Sequence, residues 1–395
     1  MRKLTLLPII AILLITCQKE QLREDNISTN QLIPKNFKTA EDVFSFLQKE
    51  MPEVYNADEI NRLKTMLEEP NQNEFKRSGT IVELPAGSID ALQAAVEEAG
   101  EGGTVIVKAG LHVENNLVVI GHRTNIIGEE DALVQLMDPL QLDNLPVVIR
   151  GGIHLANAPR SVLQGIHFTG GEPGACNGIF VENSDRVRIS DNLFTNIQFS
   201  IQVEQSDFLN IRKNEIIGDL DVLSTVVGNT GITIINGKSC SIIDNIVSAN
   251  FFGIWNCDRG GVNWGNTTTS CFYGQILCKV PPSVQTPDGE LIGAEDPGNH
   301  WLIALNESND NFYGGIVAID GAFSNTLLAN RGSGNAAYDV DLVGPTERFG
   351  FFTPTSARNR VWSFSDQVVK DCGEDNKVVG GIQVDTTVDP CDNVE

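Results

Sequence analysis

The chain has 395 residues and a formal net charge of −24. Plain repulsion at that charge disfavours nucleic acid and anionic lipid surfaces as partners. Beyond the first residues, no stretch is apolar and long enough to cross a bilayer.

The first residues are MRKLTLLPIIAILLITC. Arg2 and Lys3 give a positive start, and Leu4 to Ile15 form an apolar run too short to span a membrane, the layout of a secretory signal. The run ends at Leu14-Ile15-Thr16-Cys17, which resembles a bacterial lipobox, with Thr16 standing where Gly, Ala or Ser is usual. Cleavage there makes Cys17 the lipid-bearing N-terminus. Gln18-Lys19-Glu20 then resembles a short signal for display on the outer face. Residues 18–35 are polar and read as a tether.

Phe44, Leu47 and Met51, then Ile60, Leu63, Met66 and Leu67, fall at helical intervals. Pro52 separates the two helices and Pro70 ends the second. Ser88-Ile-Asp-Ala-Leu-Gln-Ala-Ala-Val-Glu-Glu-Ala predicts a short amphipathic helix with Ser88 as N-cap. A turn and a buried strand follow, Glu-Gly-Gly-Thr-Val-Ile-Val-Lys-Ala-Gly. Such a helix can cover the open end of a stack of strands.

The stretch GIFVENSDRVRISDNLFTNI begins at Gly178; SIQVEQSDFLNIRKNEIIGD begins at Ser200 and GITIINGKSCSIIDNIVSAN at Gly231. Equivalent units start at Gly152, Gly253, Gly274, Gly315 and Ala337. The minimum spacing is about 22 residues, which signals a solenoid rather than a globule. Each unit holds short alternating strands and no helix. An asparagine recurs at Asn192, Asn214, Asn245, Asn266, Asn330 and Asn359. Asparagine tolerates the left-handed backbone of a sharp bend, and stacked amides can bond from coil to coil.

The GI-x-V…I-x-x-N repeat, with the helix–turn–strand IDALQAAVEEAGEGGTVIVKAG before it, resembles the right-handed parallel β-helix of the pectin-lyase-like superfamily. The expected fold is all-β: a single-stranded right-handed parallel β-helix solenoid with an N-terminal capping helix and a short N-terminal helical segment. The expected division is signal 1–16, tether 17–35, helical segment 36–78, β-helix 79–370 and C-terminal tail 371–395. Insertions at Asp219–Thr230 and Val280–Gly298 border the same strand column and could wall a groove.

In the frame G-I-x-V-x the third and fifth residues point outward. This brings out His154; Phe180 and Glu182; Gln202 and Glu204; Trp255 and Cys257. Glu182 and Glu204 occupy one place in adjacent coils, with backbones about 4.8 Å apart. Carboxylates so close push one pKa upward, as an acid–base pair requires, and the spacing suits a retaining glycosidase. Glu182, Glu204 and His154 are the candidate catalytic residues, and Gln202 and Trp255 candidate sugar contacts. Many relatives implied by the resemblance are polysaccharide lyases, which need a cation beside the uronate carboxylate and a base beside the carbon acid. Arg160, Arg186 and Arg188 are the candidate cations. Asp288, Glu290, Glu295 and Asp296 crowd the larger insertion and could bind calcium. No histidine pair has a zinc or copper spacing. The WiDH-type lyase signature, the GHG pattern of polygalacturonases and the DPHD motif of alginate epimerases are all missing.

Cys257 and Cys278 fall at stacked positions within disulfide reach, and Cys372–Cys391 is expected to tie down the tail. Cys176, Cys240 and Cys271 remain without assignment. The expected function is an exported, lipid-anchored surface protein that binds a polysaccharide and could cleave it, by elimination first if it is an enzyme. A retaining hydrolase and a non-catalytic scaffold or adhesin are the alternatives.

Overall fold

The computed structural model describes residues 33, 37–68, 79–137, 151–171, 175–219, 229–278, 300–344, 346–348, 351–353, 355–389 and 391. Among them the chain winds through three parallel sheets of twelve, eleven and nine strands, and each coil adds one strand to each sheet it reaches. Ile153, Ile179, Ile201, Ile232 and Ile254 pair in one register along the eleven-stranded sheet. All five are at most 1% exposed. They face Ile189, Ile211 and Ile242 of the twelve-stranded sheet and Phe194, Ile216 and Val247 of the nine-stranded one, in one continuous core. Alternation along each short strand produces this: every second apolar side chain points inward and meets its copy one coil away. The glycine that opens each unit has a steric reason. A Cβ on Gly178 would lie 2.5 Å from the Ser200 carbonyl oxygen, and one on Gly231 equally close to that of Gly253. The unit expected to start at Ala337 is instead in register from Asp339, since Ile316 pairs with Val340. The coil also runs past residue 370: Lys377–Val379 and Ile382–Gln383 still pair in the sheets.

Asn192, Asn214, Asn245, Asn266, Asn306 and Asn330 stand over one another. Each Nδ2 donates to the Oδ1 of the next, at 3.0, 2.9, 2.9, 3.2 and 3.0 Å. Each backbone N–H donates to the same oxygen. The bend itself falls one residue earlier than expected. Asp191, Lys213, Asp244, Leu305 and Ala329 take positive φ, so the asparagine is left free to aim its amide along the rod axis. Asn359 belongs to a second ladder at another corner, between Asn325 and Asn376. Asn306 joins the first ladder across the long insertion that hides it in the sequence.

The capping helix spans Leu92–Ala99, later than expected, and its N-cap is Ala91. Ser88 is turned to His112, Oγ to Nδ1 at 2.7 Å. The cap comes from afar: Glu114, on the first coil, accepts from the Ala91 and Leu92 amides at 3.2 and 3.0 Å. A carboxylate at a helix N-terminus satisfies free amides and opposes the positive end of the dipole. Two further helices, Ala40–Glu50 and Ala57–Leu67, cover the outer face of the twelve-stranded sheet. Phe44 stacks on Trp264 and Phe46 meets Trp362 edge-on, at 5.8 and 5.6 Å between centroids. Arg212 donates from Nη2 to the Glu68 carbonyl at 3.1 Å, closing the second helix.

The core changes character at the coil from Gly253 to Cys278. Gln275 enters the isoleucine column between Ile254 and Ile316. Asn263 faces it and donates to its Oε1 at 3.1 Å, while Asn266 donates to Asn263 at 2.7 Å. Asp258, near the end of the strand Phe252–Arg259, is 1% exposed. Burial pushes its carboxyl from the usual 3.8 up to about 8. The folded state therefore holds a proton that the unfolded chain has lost, and stability falls as pH rises from about 4 to about 8.

Two stability measurements follow from these interactions. Asn245→Ala removes a ladder rung bonded on both sides and is expected to cost about 2–3 kcal/mol in denaturant unfolding. Asn330→Ala, at the end of the ladder, is expected to cost clearly less. Asp258→Asn is expected to raise the melting temperature at pH 8 and change it little at pH 4. An equal effect at both pH values would contradict the buried acid.

Candidate functional site

His154, Phe180, Gln202, Thr233 and Trp255 form one row along the outer face of the eleven-stranded sheet, one per coil. Beside it runs a second row of Ala156, Glu182, Glu204, Ile235 and Cys257. Both rows face outward because their neighbours Ile179, Val181, Ile201 and Val203 are held in the core. The register brings His154, Gln202, Glu182 and Glu204 together as one group, with Trp255 at the far end of the row.

Within the group the donors are engaged locally. His154 donates from Nε2 to Glu182 Oε2 at 3.1 Å, and its ring lies 4.8 Å from that of Phe180. Gln202 donates from Nε2 to Glu204 Oε1 at 3.1 Å. Burial holds His154 below the ordinary histidine value, against the pull of the Glu182 carboxylate, so the imidazole stays neutral at neutral pH. Burial lifts the Glu204 carboxyl above the ordinary value; the Gln202 bond opposes this and the charge of Glu182 adds to it. Two carboxyls one coil apart are thus set in different environments, as a proton donor and its partner must be. Phe180 was legible as an outward residue. Its role as the wall behind His154 needs the register of two coils of unequal length.

Trp255 is half-buried and donates from Nε1 to Cys278 Sγ at 2.8 Å. Its ring lies 4.8 Å from Phe252. Cys257 and Cys278 are joined across adjacent coils, with Cα atoms 4.7 Å apart. Cys372 and Cys391 are joined as well, with Cα atoms 5.4 Å apart. Cys240 and Cys271 are free and buried. Beyond Trp255 this face turns apolar, with Ile276, Val317 and Ile319 buried.

The arginines do not join the group. Arg188 is on the twelve-stranded sheet, 6% exposed, bonded to Ser190 and 4.0 Å from Asp191. Arg160 and Arg186 sit at positive φ in the turn that leads to that sheet. The Arg186 guanidinium lies over the Phe208 ring at 5.4 Å. Cys17, the side chain of Cys176 and the acidic set Asp288, Glu290, Glu295 and Asp296 lie outside the described residues. Among the described residues no three His, Cys, Asp or Glu side chains gather as a metal ion would need, and no helix is long and apolar enough to cross a membrane.

A family model described as the periplasmic copper-binding protein NosD matches residues 89–275, a little under half of the chain. Among solved structures, the A-module of the mannuronan C-5 epimerase AlgE6 of Azotobacter vinelandii is 14% identical, over 80% of this chain and 100% of that one, with a TM-score of 0.52. PfbA, a surface adhesin of Streptococcus pneumoniae, is 12% identical over 77% of this chain and 91% of its own, with a TM-score of 0.43. No curated protein matches the sequence. With three parallel sheets wound coil on coil, the chain has the right-handed parallel β-helix fold.

Proposed function

We propose that the chain is an exported, surface-displayed protein, lipid-anchored through Cys17, that binds a polysaccharide along the face from His154 to Trp255 and cleaves it by acid–base chemistry. The observation that carries this is the pairing of Glu182 and Glu204 in one register on adjacent coils, each held by its own partner. The epimerase that shares the fold acts on a polysaccharide, as its name says; at this identity the likeness speaks for architecture.

Hydrolysis suits the group better than the elimination expected from the sequence. Elimination needs a cation beside the uronate carboxylate, and Arg188 stands on another sheet. Hydrolysis needs two carboxyls about 5 Å apart with unlike pKa values. Glu204, lifted by burial, gives its proton to the glycosidic oxygen. Glu182, steadied by His154, attacks the anomeric carbon and forms a glycosyl ester. Water then replaces the ester, with the Glu204 carboxylate taking its proton. Trp255 offers a ring face at the end of the row.

Among the described residues no cluster of His, Cys, Asp or Glu fits copper. His112, His154 and His167 are engaged with Ser88, Glu182 and Thr195. The free thiols Cys240 and Cys271 precede strands of different sheets. Soft ligands must converge to select copper, and these do not.

Incubation with a panel of neutral and uronate polysaccharides tests the reaction. New reducing ends without a rise in ultraviolet absorbance are expected, and Glu182→Gln or Glu204→Gln should each lower the rate at least about 100-fold. A rise in absorbance would restore elimination. Carboxyl NMR titration gives a check that needs no substrate. Glu182→Gln should lower the Glu204 pKa only in part, because burial is the larger cause and remains. A return to the ordinary glutamate value would show that charge, not burial, sets it.

A further inference from the structure

Three of the donors along the two rows are engaged inside the protein, and this limits what ligand can bind. The His154 N–H goes to Glu182, the Gln202 amide N–H to Glu204, and the Trp255 indole N–H to Cys278. What the group still offers is chiefly acceptor capacity, the remaining lone pairs of Glu182 and Glu204, beside the second N–H of Gln202. Thr233 adds one hydroxyl. No lysine or arginine stands in either row between His154 and Cys257. The nearby cations are committed elsewhere: Arg188 on the far sheet, Arg186 over Phe208, and Lys238 to Asp207 at 3.1 Å.

Resting on the polysaccharide reading above, we infer that this face selects a glycan without acid groups, whose hydroxyl or ammonium donors meet the carboxylates, and rejects uronate polymers. A uronate brings a carboxylate with acceptors only. It would stand beside Glu182 and Glu204 with no cation in either row to hold it, in a chain of net charge −24. A buried acceptor that gains no donor loses its hydration without compensation. A hydroxyl-rich sugar makes charge-assisted bonds to the same oxygens.

The test uses oligosaccharides of equal length in three forms, uncharged hexose, amino sugar and uronate, titrated against the full chain at low and moderate salt. A non-acidic oligomer is expected to bind at least tenfold tighter than the uronate. Glu182→Gln and Glu204→Gln should raise uronate affinity at least threefold, since each removes repulsion and supplies an amide donor. A uronate that binds best, or one whose affinity these variants leave unchanged, overturns the inference. Retention of none of the three overturns the carbohydrate reading itself, and this inference falls with it.

Discussion

In this molecule each coil hydrogen-bonds to the next with like residues in register. A parallel pair of strands fixes their separation at about 4.8 Å, so whatever a position carries is repeated at that distance along the axis. Aliphatic repeats then make a core without any further instruction, as the column from Ile153 to Ile254 does. Amide repeats make a ladder in which one oxygen accepts both a side-chain and a backbone N–H. The same rule brings Glu182 and Glu204 together. Their closeness opposes their charges, and the backbone ladder of the sheets holds them there regardless.

The coil from Gly253 to Cys278 divides the rod. Before it the core is apolar, and the outer face of the eleven-stranded sheet carries the candidate acid–base group. At it the core takes in Asn256, Asn263 and Gln275, while the outer face becomes Trp255, a disulfide and buried aliphatic residues. Polar and apolar positions have in effect changed sides over one coil. The disulfide and the amide bonds from Asn266 through Asn263 to Gln275 fasten a level that hydrophobic stacking alone would hold less firmly. This change marks one limit of the candidate face, at Trp255.

Much of this was legible in the repeat because a period-two strand pattern and a recurring opening glycine constrain the register directly. The inward and outward sides of residues 178–182 and 200–204 follow from alternation alone. Features that depend on more than one coil of unequal length were not legible. Asn306 sits beyond the long insertion, so its place in the ladder is set by strand pairing and not by spacing. Asn359 has the right neighbours in sequence and the wrong corner in space. Glu114 caps a helix more than twenty residues before it, a contact that exists only once the first coil has closed. The arginines looked clustered because they are near in sequence, yet a corner of the coil lies between Glu182 and Arg188 and turns them onto different sheets. Of the candidate site, the carboxylates could be read from the repeat. The engagement of their donors could not, because it depends on rotamers across coils.

The register itself can be measured. Leu193 and Glu307 lie in one column of the nine-stranded sheet, four coil steps apart through Glu215, Ile246 and Thr267. Spin labels attached at these two positions through a ketone-bearing amino acid leave the native cysteines in place. Pulsed dipolar spectroscopy should give one narrow distance, corresponding to about 19 Å between backbones. A broad distribution, or a separation far from that value, would contradict a chain wound with like residues over like.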